Sequence, residues 1–469
     1  MTSIGRFSYD SETTANPSVP TIFLALTGPK PFTASNFIQL WQKQGLSEKH
    51  PRFEQRIDTK PGFFSPATKP LEHRVADTMF PSLYRADLAH RMSHFLTAPL
   101  TVKEALWEVR VATGAVGTSG AISKIKSQHL PDDHTFESLI LFRHHHALAD
   151  GVSLAAAFVG LFEEAEELKQ KVKAELKRRS KKAKSFLQKI LKWLQRIIWF
   201  CHGSIQSIFY QTRLLWGMPQ NPLELVLALS GEEPEVRRTV SWCDAAPLDE
   251  VKQVAHAHGR KITVNDVWVS CVSYAIAKQL EQHRERLAVH GKILPVFDNI
   301  NVVVPVHLSG GVMLPNQSLG NFIGAFVARV PGETSADRLA EVHETLSWLK
   351  RSPVPLIGYL TARTCSLLPV SWTKSLFRKA SANACVSISN VRSSPLKLHL
   401  DGNTVQSIAG FLPLPPGIPV GVVITSYAGS VSLTVTAQPW AVPDADQFML
   451  WMLEEYQRLL RQSGVSTER

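Results

Sequence analysis

Three consecutive histidines, His144, His145 and His146, are followed by Asp150 and Gly151 in the stretch LFRHHHALADG. Imidazole titrates near neutrality, so a histidine can accept a proton from a hydroxyl and later return it. The apolar run before the histidines predicts a buried strand. Because side chains alternate along a strand, we expect His144 and His146 on one face and His145 on the other. The three imidazoles are therefore not expected to converge on one metal ion.

Each part of this stretch also has an ordinary structural explanation. Asp150 precedes a helical pattern and suits a helix N-cap, which is worth about 1 kcal/mol. Gly151 suits a tight entry into that helix. Only the combination His145-His146-x-x-x-Asp150-Gly151 favours a catalytic site over these separate explanations.

The sequence resembles the wax ester synthase/diacylglycerol acyltransferase family of the CoA-dependent acyltransferase superfamily, whose signature is HHxxxDG. Further matching segments occur in the family's order: PLTVKEALWEV, GRKITVNDVWVS, VVVPVHL with LGNFIG, and SNVRSSP with VVITSYAGSVSLTVTAQP. The first forty residues do not match the family's usual start, which leaves the lipid-facing side of the site open. Ala105, Arg392 and Ser393 depart from the family pattern only in loops.

The resemblance implies a role for each residue of the motif. His146 is the general base that takes the proton of the acceptor hydroxyl. His145 supports it, and Asp150 holds the loop rather than relaying a proton. Gly151 leaves room for the pantetheine arm of CoA. His144 is an additional histidine with no implied role.

Asn265 and Asp266 begin a predicted helix in the second half of the chain. Thr263 and Asp266 have the spacing of a capping box. Two interpretations stay open: Asn265 and Asp266 bind substrate, or they only cap the helix.

The resemblance implies an O-acyltransferase that moves a fatty acyl group from acyl-CoA to a long-chain alcohol, to diacylglycerol, or to both. Acyl-CoA is then a co-substrate, and neither a cofactor nor a metal is expected. The sequence has no Gly-x-Ser-x-Gly elbow, dinucleotide-binding glycine motif or Walker loop, so we expect direct transfer in a ternary complex. Two alternatives remain: another HHxxxDG acyltransferase that forms amides or polyketide esters, and a catalytically silent lipid-binding relative.

Alternating helical and strand patterns predict an α/β protein. The resemblance implies two chloramphenicol-acetyltransferase-like α/β sandwich subdomains with an active-site tunnel between them. We assign residues 1–180 to the N-terminal subdomain, 181–235 to a linker and 236–469 to the C-terminal subdomain. Residues 152–176 show one uninterrupted helical pattern, rich in Ala, Leu and Glu.

The net charge of +11 is concentrated in one segment. Residues 169–196 contain twelve Lys or Arg and one acid, Glu175, and the rest of the chain is neutral. The amphipathic linker is expected to lie on an anionic membrane, although a solvated helix and insertion of residues 197–216 stay open. No nucleic-acid-binding module surrounds the segment, so no nucleic-acid partner is expected.

The expected location is intracellular. The five cysteines are odd in number and lack zinc-type spacing, which is typical of reduced thiols. The polar N-terminus does not resemble a secretory signal. We therefore expect a peripheral protein of the endoplasmic reticulum, of lipid droplets or of the cytoplasmic membrane face.

Overall fold

The structure is a computed structural model that describes residues 1–13, 16–58, 62–79, 85–113, 137–180, 203–205, 209, 212, 221–233, 235–308 and 319–465. The structural statements below refer to these residues. Most of the predicted linker, residues 181–235, and of the stretch 197–216 lies outside them. None of the described helices combines the length and the apolar character needed to cross a membrane.

Helices and strands alternate along most of the chain. The strands are β1 Thr21–Thr27, β2 Gln55–Ile57, β3 Phe64–Pro66, β4 Val75–Met79, β5 Trp107–Thr113, β6 Ser138–His144, β7 Thr239–Pro247, β8 Asn299–His307, β9 Ile323–Pro331, β10 Val386–Arg392, β11 His399–Leu400, β12 Asn403–Phe411, β13 Val420–Tyr427 and β14 Ser430–Ala437. The α-helices are α1 Ser3–Ser11, α2 Ala34–Lys43, α3 Leu46–Lys49, α4 Leu71–Arg74, α5 Arg85–Thr97, α6 Gly151–Phe158, α7 Ala165–Ser180, α8 Pro222–Ser230, α9 Leu248–His258, α10 Val264–Val289, α11 Arg338–Arg351, α12 Val354–Cys365, α13 Val370–Ser381 and α14 Ala445–Ser463. Short 3-10 helices span Pro51–Glu54 and Val159–Leu161.

The strands form two six-stranded sheets and one small hairpin, β2-β3. The first sheet has the order β11-β12-β1-β6-β5-β4, and the second has the order β7-β14-β13-β10-β8-β9. In the first sheet β4 and β5 are parallel, whereas in the second β10 is parallel to both β13 and β8. The predicted α/β class with two sheet-containing halves is confirmed. The tunnel between the halves stays a prediction.

Aromatic side chains fill the core of the first half. Trp107 of β5 stacks on Trp41 of α2, with 4.5 Å between ring centroids, and on Phe142 of β6, with 5.6 Å. All seven residues of β6 are buried, which confirms the buried strand that the apolar run predicts. The histidines therefore begin where a fully buried strand ends.

Helix α10 is central to the core of the second half. Most of its residues are buried, as expected for a helix that packs against neighbours on several sides. Its Trp268 stacks on Tyr456 of α14, with 4.9 Å between ring centroids. The predicted capping box of Thr263 and Asp266 is confirmed, and it fixes where α10 begins.

Two strands from the predicted C-terminal subdomain complete the first sheet. β12 pairs with β1 along its length, and β11 pairs with β12. Residues 236–469 therefore contribute to both sheets, and boundaries near residues 180 and 236 do not separate the sheets.

The uninterrupted helix predicted over residues 152–176 is wrong. Helix α6 ends at Phe158 and α7 begins at Ala165, with a 3-10 turn after α6. In the gap, the carboxylate of Glu164 accepts hydrogen bonds from the backbone N–H of His399, at 2.9 Å, and from its ring Nδ1, at 2.6 Å. These tertiary contacts override the local helix propensity.

Candidate active site

The histidine motif lies on a turn between β6 and α6 that main-chain hydrogen bonds hold in place. The backbone N–H of His145 donates to the carbonyl of Leu106, and that of His146 donates to the carbonyl of Ser18, both at 2.8 Å. Within residues 138–150, only His146 is partly exposed, and all the others are buried. His146 is therefore the one residue of this stretch that is not fully enclosed by protein.

Asn321, from the second half of the chain, orients the imidazole of His146. Its Nδ2 donates to the carbonyl of His146 at 2.8 Å, and its Oδ1 lies 3.3 Å from Nδ1 of the ring. An amide oxygen can only accept a hydrogen bond, so Nδ1 carries the ring proton. The lone pair of Nε2 is then available to accept a proton.

The surroundings of His146 also favour its neutral form. Burial lowers the pKa of His146 below the ordinary histidine value, although the charge of Asp150 opposes this shift. The imidazole is therefore unprotonated near neutral pH. This is the protonation state that a general base needs before it acts.

His145 points away from His146, as the alternation along a strand predicts. Its Nδ1 accepts a hydrogen bond from the N–H of Ala147 at 3.0 Å, so its own proton is on Nε2. That Nε2 donates to Glu12, whose Oε2 lies 3.2 Å away. Burial acts to raise the pKa of Glu12, but the hydrogen bond from His145 keeps it below its ordinary value. An ionised Glu12 therefore holds His145, and His145 in turn holds the backbone of the turn.

His144 lies beside His146, with 6.5 Å between ring centroids. Among the described residues, neither of its ring nitrogens makes a hydrogen bond of ordinary geometry, although the nearby backbone of Ala149 favours the charged form. Burial lowers the pKa of His144 to about 3, and the neighbouring His146 and His145 add to this shift. His144 is therefore a neutral packing residue beside His146. In the part of the chain that the structure describes, no group of three His, Cys, Asp or Glu side chains is placed to hold a metal ion.

Asp150 connects the histidine turn to the second half of the chain. Its Oδ1 caps α6 by accepting from the N–H of Ser153 at 2.8 Å. Its Oδ2 accepts from the N–H of Phe322 at 2.8 Å and lies 3.5 Å from Nε2 of His307. Its own N–H donates to the carbonyl of Gly320 at 2.8 Å. Burial acts to raise the pKa of Asp150, but its hydrogen bonds with His307 and the two backbone N–H groups keep it below its ordinary value.

The space beside Gly151 is open. A Cβ added to Gly151 would meet no atom within 4 Å, and the residue does not have the left-handed backbone that favours glycine. Neither the turn nor the protein packing therefore requires a glycine at this position. The open space is compatible with the role in admitting CoA that the resemblance implies.

Asn265 and Asp266 form hydrogen bonds with residues on other elements of the second half. The carboxylate of Asp266 accepts from Nδ1 of His343 at 2.8 Å and from Nζ of Lys350 at 3.1 Å, in addition to its capping role. Asn265 Oδ1 accepts from Nδ2 of Asn390 at 3.3 Å. Asp266 thus has a structural role, and substrate binding by either residue stays a prediction.

Sequence reasoning does not single out Glu12, Asn321 or His307. Asn321 and His307 do lie in LGNFIG and VVVPVHL, two of the segments that carry the family resemblance. Glu12 lies in the N-terminal region that departs from the family pattern. No spacing in the sequence connects Glu12 with His145, which is 133 residues away.

Comparison with known proteins gives one family model and similar curated proteins. Residues 319–460, which include Asn321, match the model of the WS/DGAT C-terminal domain. The chain is 24% identical over 427 residues to wax ester synthase/diacylglycerol acyltransferase 11 of Arabidopsis thaliana. That alignment covers 84% of this chain and 82% of the relative.

Solved structures share the fold over both halves. The wax ester synthase/diacylglycerol acyltransferase from Marinobacter aquaeolei VT8 superposes with a TM-score of 0.60, at 15% identity, over 98% of each chain. A trichothecene 15-O-acetyltransferase from Fusarium sporotrichioides superposes with a TM-score of 0.59, at 12% identity, over 96% of this chain and 94% of its own.

Proposed function

We propose that this chain, which belongs to the wax ester synthase/diacylglycerol acyltransferase family, transfers a fatty acyl group from acyl-CoA to a hydroxyl. The acceptor is a long-chain alcohol, diacylglycerol or both, and the products are wax esters or triacylglycerol. One observation carries the proposal: Asn321 holds the imidazole of His146, a partly exposed residue, as a neutral base.

His146 is the general base of the proposed reaction. An alcohol has a very high pKa, so its proton must leave as its oxygen attacks. Nε2 of His146 takes this proton while the oxygen forms a bond to the thioester carbonyl carbon. The tetrahedral intermediate then collapses, the C–S bond breaks, and His146 returns the proton to the departing CoA thiolate. The acyl group passes directly between the substrates, and no residue is acylated.

The other residues of the site keep His146 in position. Asp150 bonds to the backbone of Gly320 and Phe322, the two neighbours of Asn321. Asp150 therefore acts on His146 through Asn321. His145 acts through the backbone of the turn, and the open space at Gly151 admits the pantetheine arm.

Two other functions compete with this proposal. An HHxxxDG enzyme that forms amides or polyketide esters would use the same base with a different acceptor. A silent lipid-binding relative would not need a base, so the supported, neutral His146 argues against it. The identity of the acceptor therefore separates the remaining candidates.

We also propose that the protein works at a membrane or lipid-droplet surface inside the cell. Long-chain alcohols and diacylglycerol partition into lipid, so an enzyme on that surface meets its acceptors there. The concentration of positive charge in residues 169–196 supports attraction to anionic lipid.

The proposal is tested with purified full-length protein and palmitoyl-CoA. Hexadecanol, dipalmitoylglycerol and hexadecylamine are supplied separately, and acyl product and free CoA are quantified. We expect ester from at least one hydroxyl acceptor, with one CoA released per ester. Amide from hexadecylamine without any ester would instead establish the amide-forming alternative, and no product from any acceptor would count against an enzyme.

The lowered pKa of His146 predicts the acid side of the pH profile. Only neutral imidazole accepts a proton, and a lowered pKa keeps His146 neutral to a lower pH. We therefore expect kcat/KM to fall with an apparent pKa below about 6.5, the ordinary histidine value. Initial rates across a pH series measure this. An acid limb centred above neutrality would be inconsistent with the proposed environment of His146.

Glu12 is predicted to be a positioning residue. We expect Glu12→Ala to lower kcat about tenfold, the effect of losing one hydrogen bond to a charged group. KM should change little, because Glu12 contacts His145 and not the open side of His146. Glu12→Gln retains an amide oxygen that can accept from His145, so it should recover most of kcat. Full kcat in Glu12→Ala, or no recovery in Glu12→Gln, would refute this role.

A further inference from the structure

Helices α12 and α13, which a short connection joins and which together are called the hairpin below, expose a cluster of large apolar side chains. The cluster comprises Leu356, Leu360, Leu367, Val370 and Trp372, and Leu367 is 79% exposed and Trp372 63% exposed. These are five of the seventeen large hydrophobic residues that the described part of the chain exposes. They fall within residues 356–372. Single exposed apolar residues are ordinary, but such a concentration marks an interaction surface.

The exposed cluster lies opposite a tightly packed side of α12. Leu356 and Leu360 are one helical turn apart and therefore share a face. On the packed side, a Cβ added to Gly324 of β9 would lie 2.1 Å from the carbonyl oxygen of Pro355. A Cβ on Gly358 would lie 2.5 Å from the carbonyl oxygen of Ala325. Helix α12 is therefore fixed to β9 on one side, while its leucines face outward on the other.

The same hairpin is strongly basic. The sequence contains no Asp or Glu from residue 345 to residue 400. Within that stretch, four exposed Lys or Arg side chains lie on the two helices: Arg363, Lys374, Arg378 and Lys379. The exposed apolar cluster thus lies among basic side chains, and Glu12 and Glu224 of other elements interact with Lys374 and Arg378.

We propose that the α12–α13 hairpin docks on an anionic lipid surface. Leu367 and Trp372, near the turn between the helices, enter the interfacial layer, and the surrounding Lys and Arg contact anionic headgroups. The inference rests on the proposed lipid association. It assigns that association to a folded surface distinct from the basic segment 169–196.

An anionic lipid fits this surface better than a second copy of the chain. A two-fold symmetric interface would place the same patch against itself, so positive charges would face positive charges. Lipid supplies both negative charge for the exposed Lys and Arg side chains and an apolar layer. The amphipathic ring of Trp372 suits the boundary between the two.

The docking surface is connected to the segments that hold His145 and His146. Phe7 of α1 contacts Phe377 of α13 edge-on, with 4.9 Å between ring centroids, and α1 leads directly to Glu12. Helix α12 packs on β9, the strand that begins two residues after Asn321. Docking would therefore place the site next to the lipid that contains its acceptors.

Vesicle flotation of the full-length protein tests the proposal. Vesicles of phosphatidylcholine alone are compared with vesicles that also contain phosphatidylserine. We expect Leu367→Asp/Trp372→Asp to reduce the partition coefficient on phosphatidylserine vesicles at least about tenfold. Arg363→Gln/Lys379→Gln should reduce it by roughly fivefold per charge removed, and the reduction should disappear at high salt.

Matched variants control for net charge and folding. Val289→Asp/Ile293→Asp adds the same charge at two other exposed apolar residues, and Arg260→Gln/Lys261→Gln removes two exposed charges elsewhere. Both should bind like the parent, and all variants should keep its melting temperature. Equal binding by the hairpin and control variants overturns the proposal. Loss of self-association in the hairpin variants without loss of vesicle binding also overturns the proposal. Acyl transfer by the parent in detergent micelles is scored separately, so failure of the enzymatic function leaves the lipid result readable.

Discussion

Replacement of His146 by Ala is expected to lower kcat/KM for acyl transfer about 10²- to 10⁴-fold, the usual contribution of a general base. The variant loses the Nε2 lone pair and should keep the fold, because His146 is partly exposed. Its hydrogen bonds to Ser18 and from Asn321 involve its main chain and survive the change. Initial rates with palmitoyl-CoA and a hydroxyl acceptor measure the loss, and thermal melting checks the fold.

His145→Ala is the matched control for this prediction. It should retain more activity than His146→Ala, because His145 supports the turn and does not face the substrates. It should also lose more stability, since its removal leaves the N–H of Ala147 and the carboxylate of Glu12 without this partner. Equal activity losses in the two variants, or full activity in His146→Ala, would contradict the assigned roles.

Replacement of Asp150 by Asn is expected to act mainly through folding and geometry. Asn can still cap α6, but it removes the negative charge beside His307 and one acceptor oxygen from the carboxylate. Loss of a hydrogen bond to a charged group costs about 1.5–3 kcal/mol. We therefore expect a lower melting temperature and lost activity together, because Asn321 is no longer held against His146.

Asp266→Asn provides a comparison for Asp150→Asn. Asp266 is also buried, caps a helix and pairs with a histidine, but its partners lie on α11. The substitution Asp266→Asn should lower the melting temperature, while the protein that remains folded keeps its activity. An unchanged melting temperature with abolished activity in Asp150→Asn would instead favour a direct catalytic role for Asp150.

The strand and the directions of the three histidines could be predicted from local sequence. The apolar run of β6 predicts a buried strand, and alternation along it predicts that His145 and His146 diverge. His145 contacts Glu12, whereas His146 contacts Asn321. The capping box of Thr263 and Asp266 can also be predicted from local sequence, because its two residues are only three positions apart.

The partners of the histidines could not be predicted from local patterns. Asn321 reaches His146 across 175 residues, and only the pairing of the two halves of the chain brings them together. The break between α6 and α7 depends in the same way on His399, which binds Glu164 from a distant part of the sequence. Local propensity carries no information on such contacts, so the sequence shows the base but not the groups that hold it.

The central claim is that His146 promotes direct transfer from acyl-CoA to a hydroxyl, and a single-turnover labelling experiment tests it most directly. The purified protein is mixed in excess with palmitoyl-CoA labelled in the acyl group, first without acceptor and then with hexadecanol or dipalmitoylglycerol. Ester, free CoA and protein-bound label are quantified at each stage. We expect no protein-bound label and little CoA before the acceptor is added. Ester and CoA should then appear in equal amounts with the parent protein, and far more slowly with His146→Ala. Label bound covalently to the protein before acceptor addition, or equal rates in the two proteins, would contradict the account.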